Sequence, residues 1–453
     1  MNKEEKQHTE ERVIRETRGM CPTCLKSLPA RVIVKDDGVY LSRNCPDCGR
    51  CDTRLSKHAW YYEELDKYFF SVMDGDFKQR DYIIRLTERC NLNCPICLAS
   101  ANANPDNDLK MEDLLKFTDQ GRKLKIDLMS AEPTVREDLP EMMRRLKKQG
   151  HIIALHTNGI KLADREYLKT LIDAGMDEVH LQLDGFEDKT YEVLRGKPLS
   201  KVKMKALENL EEFNIATDLV MVIAPDLNEH EVPAMLEYAK KHPFVRELFF
   251  LGLRSLGYAR ETGHDKCYLP DDTIEIVEQY TNGEIDRKSV QRFQKLYFAL
   301  LSLLGIRKCL YVQHYLLIRD KKGDFIHAKD LFDWKKVEEH LDRLPGIPRR
   351  NVPGRFWWFL GLGWKMLSIN TLKVAWDVVK MKLRLLKGFD LSKLSNQTLI
   401  LGYITACDPF IFDEMLAKYC GKGELATDIG QHESGAVANV TREKYWKEKT
   451  DNE

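Results

Sequence analysis

Short apolar runs alternate with amphipathic segments through the middle of the chain, in the rhythm of strands followed by helices. The predicted strands are Tyr82–Leu86, Ile126–Met129, Ile152–Leu155, Glu178–Leu183, Asp218–Ile223 and Glu247–Leu251. The predicted helices are Met111–Leu124, Leu139–Gln149, Arg165–Ala174, Lys201–Phe213 and Glu229–Lys241. Repeated strand–helix units of this size favour parallel pairing. The pattern therefore predicts an α/β fold built on a partial (β/α)6 barrel.

Polar residues follow the predicted strands at the point where each strand ends. Glu132 comes after the second strand, Asn158 after the third, Asp184 after the fourth and Asn228 after the fifth. One Asn-Gly or Asp-Gly pair alone indicates only a turn. Sites in barrels of this kind collect at the carboxyl ends of the strands, so the combination predicts a functional site at that rim.

Three cysteines lie in the loop after the first predicted strand, in the order Arg-Cys-Asn-Leu-Asn-Cys-Pro-Ile-Cys. They are Cys90, Cys94 and Cys97. Thiolates with this spacing can hold three irons of a [4Fe–4S] cluster and leave the fourth iron open to a small molecule. A structural zinc site would normally be completed by a fourth nearby ligand, and none follows in the sequence.

Two further cysteine pairs flank a predicted hairpin near the N-terminus, Cys21 with Cys24 and Cys45 with Cys48. The hairpin strands are Ala30–Lys35 and Val39–Leu41, with the turn predicted at Asp37-Gly38. Four thiolates from two such pairs make a tetrahedral site that suits one Zn²⁺ or one rubredoxin-type iron. The spacing leaves both metals open, and also leaves open whether the site stabilises a small module or relays electrons.

Composition limits the partners and the compartment of this 453-residue chain. Its 71 basic and 71 acidic side chains balance, which gives no overall attraction to nucleic acid. The charged segment Met1–Arg18 has no apolar core and does not predict a secretory signal. Cysteines in short paired spacings then indicate metal ligands in a reducing cytoplasm.

The segment Phe356–Trp364 is strongly apolar, and several lysines follow it with few acidic residues. This mixture favours an amphipathic segment at a membrane surface, peripheral at its inner face, with a helical cap on the barrel as the alternative. The predicted division of the chain is a metal-knuckle module at 1–75, a barrel at 76–262 and an α/β extension at 263–345. A helical, membrane-interfacial region with a mobile tail is predicted at 346–453.

The cysteine loop, Glu132-Pro133 and Thr157-Asn158-Gly159 resemble the radical S-adenosylmethionine (radical SAM) superfamily. The resemblance implies a cluster-bound SAM whose amino group meets Glu132, with Asn158 and Asp184 on the ribose and substrate side. It also implies a 5′-deoxyadenosyl radical and a low-potential electron donor such as ferredoxin or flavodoxin. The family has two glycines before the glutamate, whereas this chain has Ser130 and Ala131, whose backbone is less free.

Longer stretches resemble the tetraether lipid synthase subfamily, some of whose members were described as pterin methyltransferases. These stretches include Met129–Pro140, Thr157–Ala163 and Leu194–Lys197, within a similarity from about Gly19 to Asp324. The resemblance implies radical chemistry on an unactivated carbon of a lipid chain. A soluble substrate such as a pterin or a peptide is the alternative, and a non-catalytic metal-binding protein is the third hypothesis.

Four more cysteines lie toward the C-terminus without a paired spacing: Cys267, Cys309, Cys407 and Cys420. The subfamily usually carries auxiliary clusters in this part of the chain. The sequence leaves open whether these residues form such a cluster or are plain buried thiols.

Overall fold

A computed structural model describes residues 11–73, 75, 79–319, 324–366 and 397–451. The first described residues form an antiparallel sheet in the order β1-β2-β3-β4. Its strands are β1 (Arg12–Met20), β2 (Ser27–Lys35), β3 (Gly38–Cys45) and β4 (Gly49–Ser56). The predicted hairpin is confirmed. Its turn is at Asp36-Asp37, where both residues have a positive φ, the conformation that tight hairpin turns require.

Eleven strands of the described chain form the second sheet, in the order β12-β11-β13-β10-β9-β8-β7-β6-β5-β14-β15. They are β5 (Asp81–Arg85), β6 (Lys125–Met129), β7 (Ile152–Thr157), β8 (Glu178–Gln182), β9 (Ala216–Ile223), β10 (Val245–Gly252), β11 (Val312–Arg319), β12 (Phe325–His327), β13 (Thr398–Ile404), β14 (Gly423–Ala426) and β15 (Gly430–His432). Strands β5 to β10 are parallel neighbours in chain order. The prediction of a partial barrel of six βα units is confirmed.

The helices follow the strands in the order expected for βα units. They are α1 (Ala59–Val72), α2 (Met111–Thr118), α3 (Leu139–Lys148), α4 (Arg165–Asp173), α5 (Asp188–Arg195), α6 (Ser200–Glu212), α7 (Val232–Lys241), α8 (Pro270–Tyr280), α9 (Arg287–Leu304), α10 (Ala328–Leu331), α11 (Trp334–Leu341), α12 (Val352–Lys365), α13 (Glu414–Ala417) and α14 (Gly435–Asp451). The helix predicted at Met111–Leu124 ends at Thr118, and the one predicted from Glu229 begins with a 3₁₀ turn before α7. Their apolar faces pack on the sheet, which creates one large core.

The C-terminal part of the chain differs from the expected helical region with a mobile tail. Strand β13 lies parallel to β10, and β14 lies parallel to β5, so both extend the barrel sheet. Helix α14 is the last element of the described chain. A strand as short as β14 has too few residues for a periodic pattern to reveal it.

Helix α12 carries the apolar segment that was predicted to contact a membrane. Phe356, Trp357 and Trp364 are exposed, whereas Trp358 and Leu362 are buried against the protein. The lysine-rich continuation of this prediction, residues 367–396, lies outside the described residues. Among the residues that the structure describes, no helix has both the length and the apolar character needed to cross a membrane.

A buried charge network attaches the C-terminal segments to the first barrel strand. Glu424 of β14 accepts a hydrogen bond from Arg85 of β5 at 2.8 Å and also pairs with Arg442 of α14. Arg442 pairs further with Asp428 at 2.7 Å. All four side chains are less than a tenth exposed. Two buried guanidinium groups therefore depend on the Glu424 carboxylate.

We expect Glu424→Gln to lower the free energy of unfolding by about 3 kcal/mol, because two buried cations lose their shared anion. The urea midpoint measures the change. The matched control is Asp173→Asn, which removes an exposed partner of Lys169 and should change stability by less than about 0.5 kcal/mol. Equal midpoints for the two variants would contradict the importance of the network.

Candidate functional site

A cavity of about 210 Å³ opens at the carboxyl ends of the barrel strands. Five of the predicted site residues line it together: Cys90, Cys94, Cys97, Glu132 and Asn158. The strands that carry them are neighbours in the sheet, which is why positions far apart in sequence meet here. The cavity lies at the rim where the sequence analysis expects a functional site.

The cysteine loop is held by Asn102, a residue that the sequence analysis did not single out. The Asn102 side chain accepts from the Cys90 backbone N–H at 2.8 Å and donates to the Leu92 carbonyl oxygen at 3.2 Å. Two backbone N–H groups point at sulfur, from Leu92 to Cys90 Sγ at 3.3 Å and from Ala101 to Cys97 Sγ at 3.4 Å. Donors aimed at sulfur suit thiolates that hold a metal cluster.

The electrostatics of the loop also fit a metal centre. Burial raises the pKa of the Cys90 thiol to about 12 and raises that of Cys94. A metal bound to these sulfurs would favour their deprotonated form. The three cysteines thus fit the [4Fe–4S] cluster that their spacing predicts.

A second loop closes on the cysteine loop through Gly257. The Tyr258 N–H donates to the Cys97 carbonyl oxygen at 2.9 Å. Gly257 has φ +56°, and a Cβ added there would lie 2.4 Å from the same oxygen. Only glycine can make this close approach without displacing the cysteine loop.

The Glu132 carboxylate is fully buried and its hydrogen bonds join two strand ends. One oxygen accepts from the Thr134 and Thr157 hydroxyls, each at 2.6 Å. The other accepts from the Asn158 backbone N–H at 2.7 Å. These bonds hold the turn after β7 against the turn after β6, so Glu132 and Asn158 take up one fixed arrangement at the cavity.

Ser130, which stands where the family has a glycine, adopts a backbone conformation that favours glycine. Its φ is +155°, a value that residues with a side chain seldom adopt. Its hydroxyl is buried without a hydrogen-bond partner among the described residues, and it lines the cavity. A serine at this φ carries backbone strain that a glycine would not.

Asp184 lies behind the cavity and acts through Arg195. Its two carboxylate oxygens accept from Arg195 Nε at 2.7 Å and from Arg195 Nη2 at 2.9 Å. Arg195 lines the cavity, whereas Asp184 is not one of the described residues that do so. The guanidinium also interacts with the Cys94 sulfur. The sequence signal for Arg195 was its place within the family-like stretch Leu194–Lys197, which by itself assigns no role.

A buried lysine supports the ends of β7 and β8. Lys203 of α6 donates to the Asn158 carbonyl oxygen and to the Gln182 carbonyl and side-chain oxygens, the last two at 2.7 and 2.6 Å. Burial lowers the pKa of Lys203 to about 7. Lys203 therefore joins the turn at Asn158 to the end of β8 at Gln182. The sequence pattern did not reveal this role.

The four N-terminal cysteines form a second metal site. The Sγ atoms of Cys21, Cys24, Cys45 and Cys48 all lie within 4.8 Å of one another, and the Cys24 and Cys45 sulfurs are 3.6 Å apart. Four sulfurs around a zinc at about 2.3 Å would be separated by about 3.8 Å, so the set fits a tetrahedral ion. Among the described cysteines, Cys51 lies beside Thr53 and outside this group.

Three of the four C-terminal cysteines converge, although they are far apart in sequence. Cys309, Cys407 and Cys420 are close enough for their charges to interact. Burial raises the pKa of Cys309 to about 12 and also raises that of Cys407. Cys267 is separate, and its thiol donates to the Gly263 carbonyl oxygen.

Comparison with known families identifies the class of protein. Residues 84–239 match the radical SAM superfamily, and residues 13–57 match the HMPTM N-terminal zinc ribbon domain. With the three-cysteine loop and the four-sulfur group at those places, the chain carries a radical SAM domain and a zinc ribbon. A [4Fe–4S] cluster and SAM are the cofactors of this class.

Individual relatives match this chain over different fractions of its length. The 7,8-dihydro-6-hydroxymethylpterin dimethyltransferase of Methanocaldococcus jannaschii is 33% identical over 302 residues, 60% of this chain and 60% of that protein. A GTP 3′,8-cyclase of Clostridium perfringens is 29% identical over 224 residues, 47% of this chain and 67% of that protein. The crystal structure of Streptococcus suis SuiB bound to precursor peptide SuiA has a TM-score of 0.40 and 15% identity over 49% of each chain.

We expect Cys45→Ser to remove the zinc from the ribbon, because three thiolates leave the tetrahedral site incomplete. Elemental analysis should give about one zinc per chain for the unmodified protein and much less for the variant. Cys51→Ser is the matched control and should keep its zinc. Retention of zinc by Cys45→Ser, or its loss from Cys51→Ser, would contradict the assignment of the four ligands.

Proposed function

We propose that this protein is a radical SAM enzyme that methylates a soluble, pterin-type substrate. The observation that carries the proposal is the 33% identity to a pterin dimethyltransferase, which extends over 302 residues. The match covers 60% of that relative, so its substrate is carried over to this chain as a proposal. The zinc ribbon match supports the same assignment.

The proposed roles at the cavity follow from its contacts. Cys90, Cys94 and Cys97 would hold the cluster, and Glu132 and Asn158 would face SAM. When bound, these groups supply a 5′-deoxyadenosyl radical that removes a hydrogen atom from carbon. Glu132 is rigid before any ligand arrives because its oxygens already accept hydrogen bonds from both strand ends. Such rigidity favours one orientation of a bound amino group.

Arg195 adds a positive charge beside the cluster loop. Its bidentate pair with Asp184 fixes the guanidinium plane, so that Arg195 can face an anionic or carbonyl group in the cavity. We therefore assign Asp184 the role of positioning Arg195 rather than direct contact with the ribose. The electron donor that we propose is a low-potential protein such as ferredoxin or flavodoxin.

A lipid substrate is the second candidate, and one observation favours it. Helix α12 exposes Phe356, Trp357 and Trp364, which could rest on a membrane surface. The two relatives named above are described by their action on a pterin and on GTP, which are soluble molecules. The pterin proposal is therefore preferred.

The proposal is tested anaerobically with cluster-reconstituted protein, SAM and dithionite. We expect release of 5′-deoxyadenosine and methylation of 7,8-dihydro-6-hydroxymethylpterin, both followed by mass spectrometry. Cys94→Ser should abolish both, because the cluster loses a ligand, whereas Cys51→Ser should abolish neither. If deoxyadenosine release rises with membrane lipid and does not respond to the pterin, the pterin proposal is wrong and a lipid is the substrate.

We expect Glu132→Gln to weaken SAM binding by about tenfold or more, because a charged hydrogen bond is lost and an amide N–H₂ must face backbone and hydroxyl donors. Anaerobic calorimetry of SAM binding to protein of matched iron content measures the change. Glu141→Gln, at an exposed position of α3, is the control and should bind SAM normally. An unchanged SAM affinity in Glu132→Gln would contradict the role of Glu132.

A further inference from the structure

Two histidines that have no role in the site described above also line the cavity. His156 of β7 and His180 of β8 are partners in the sheet register, so their side chains leave the same face of neighbouring strands. Their rings are stacked, with centroids 4.1 Å apart and an angle of 4° between the planes. Both line the cavity that contains Cys90, Cys94 and Cys97.

Carboxylate side chains of the barrel strands contact the nitrogens of both rings. His156 Nε2 lies 3.3 Å from Asp127 Oδ1, and the other oxygen of Asp127 pairs with the Lys422 ammonium. His180 Nδ1 lies 3.3 Å from Asp218 Oδ2, and its Nε2 lies 3.4 Å from Glu178 Oε1. The imidazoles therefore lie between a charged layer and the cavity.

The hydrogen-bonding state of His156 follows from these contacts. Burial lowers the pKa of His156 to about 3, so its ring is neutral near pH 7. Burial opposes ionisation of Asp127, but the Lys422 ammonium and the His156 contact keep the pKa of Asp127 well below its usual range. A neutral ring beside a carboxylate carries its proton on the nitrogen that faces the carboxylate, which is Nε2.

The other nitrogen of His156 is then a free acceptor. Nδ1 has no hydrogen-bond partner in the described part of the chain. The side chain remains 23% exposed, whereas that of Asp127 is fully buried. Because His156 lines the cavity, this nitrogen is an acceptor that a molecule bound there can use.

A metal ion is the alternative ligand for the group formed by Asp127, His156 and His180. Asp127, His156 and His180 can bring one donor atom each within 4.8 Å of the others. The Lys422 ammonium already neutralises the carboxylate, and it would repel a cation bound to the same group. The observations therefore favour a neutral or acidic N–H donor over a metal.

We propose that His156, held by Asp127 in its Nε2–H form, accepts a hydrogen bond from a ring N–H of the substrate. This rests on the proposed function and names the part of the substrate that is recognised. The ligand is a planar nitrogen heterocycle with an N–H edge, such as the 2-amino-4-oxopyrimidine ring that pterins share with guanine. Asp127 is a positioning residue, and His180 supports the His156 ring by stacking.

The test measures binding of 7,8-dihydro-6-hydroxymethylpterin to reconstituted, SAM-loaded protein. His156→Phe keeps a flat ring against His180 but removes both nitrogens, and it should weaken binding by about tenfold. His156→Gln supplies an amide oxygen as acceptor and should recover part of the affinity. Comparing the pterin with its N3-methyl derivative should show a preference for the N–H form that His156→Phe loses.

The matched control is His242→Phe, because His242 is also stacked on a ring, that of Tyr238, but lies outside the cavity. It should bind the pterin normally. Equal affinities for the unmodified protein, His156→Phe and His156→Gln would overturn the inference and leave the pterin proposal standing. Failure of the unmodified protein to bind the pterin would overturn both. A metal ion beyond the cluster iron and the ribbon zinc, lost in His156→Phe, would overturn the inference in favour of a metal site.

Discussion

A buried carboxylate is the constraint on which the cavity depends. Glu132 has no access to water, so its charge is tolerated only because hydroxyl and backbone donors surround both oxygens. Those donors come from the ends of two neighbouring strands. The turns after β6 and β7 are therefore linked, and Asn158 takes its position from this shared arrangement.

Below this rim the barrel strands also carry a group of partly buried ion pairs. Asp127 with Lys422 and Lys125 with Glu178 pair within it, and burial forces the histidines above them to stay neutral. A substrate that enters the barrel meets flat, uncharged rings whose hydrogen-bonding direction is already set. Such rings can discriminate between ligands by their pattern of N–H and C=O groups.

The sequence predicted those strands and helices that a local residue pattern encodes. The six strands and most helices agree with the structure to within a few residues, because apolar period and turn residues are short-range signals. Arg195, Asn102 and Lys422 could not be found this way, since each acquires its role by meeting residues distant in the chain. The convergence of Cys309, Cys407 and Cys420 has the same origin. Ser130 differs in kind, because the sequence showed the missing glycine but not the positive φ that the serine adopts there.

The pairing of β14 with β5 has a consequence for biogenesis. Arg85 and Glu424, which join β5 to β14, are 339 residues apart, and the cysteine loop begins directly after β5. While the ribosome is still synthesising the intervening chain, β5 remains an uncovered sheet edge. A chain truncated shortly before β14 would keep that edge unpaired, and an unpaired edge can take up a strand from another chain.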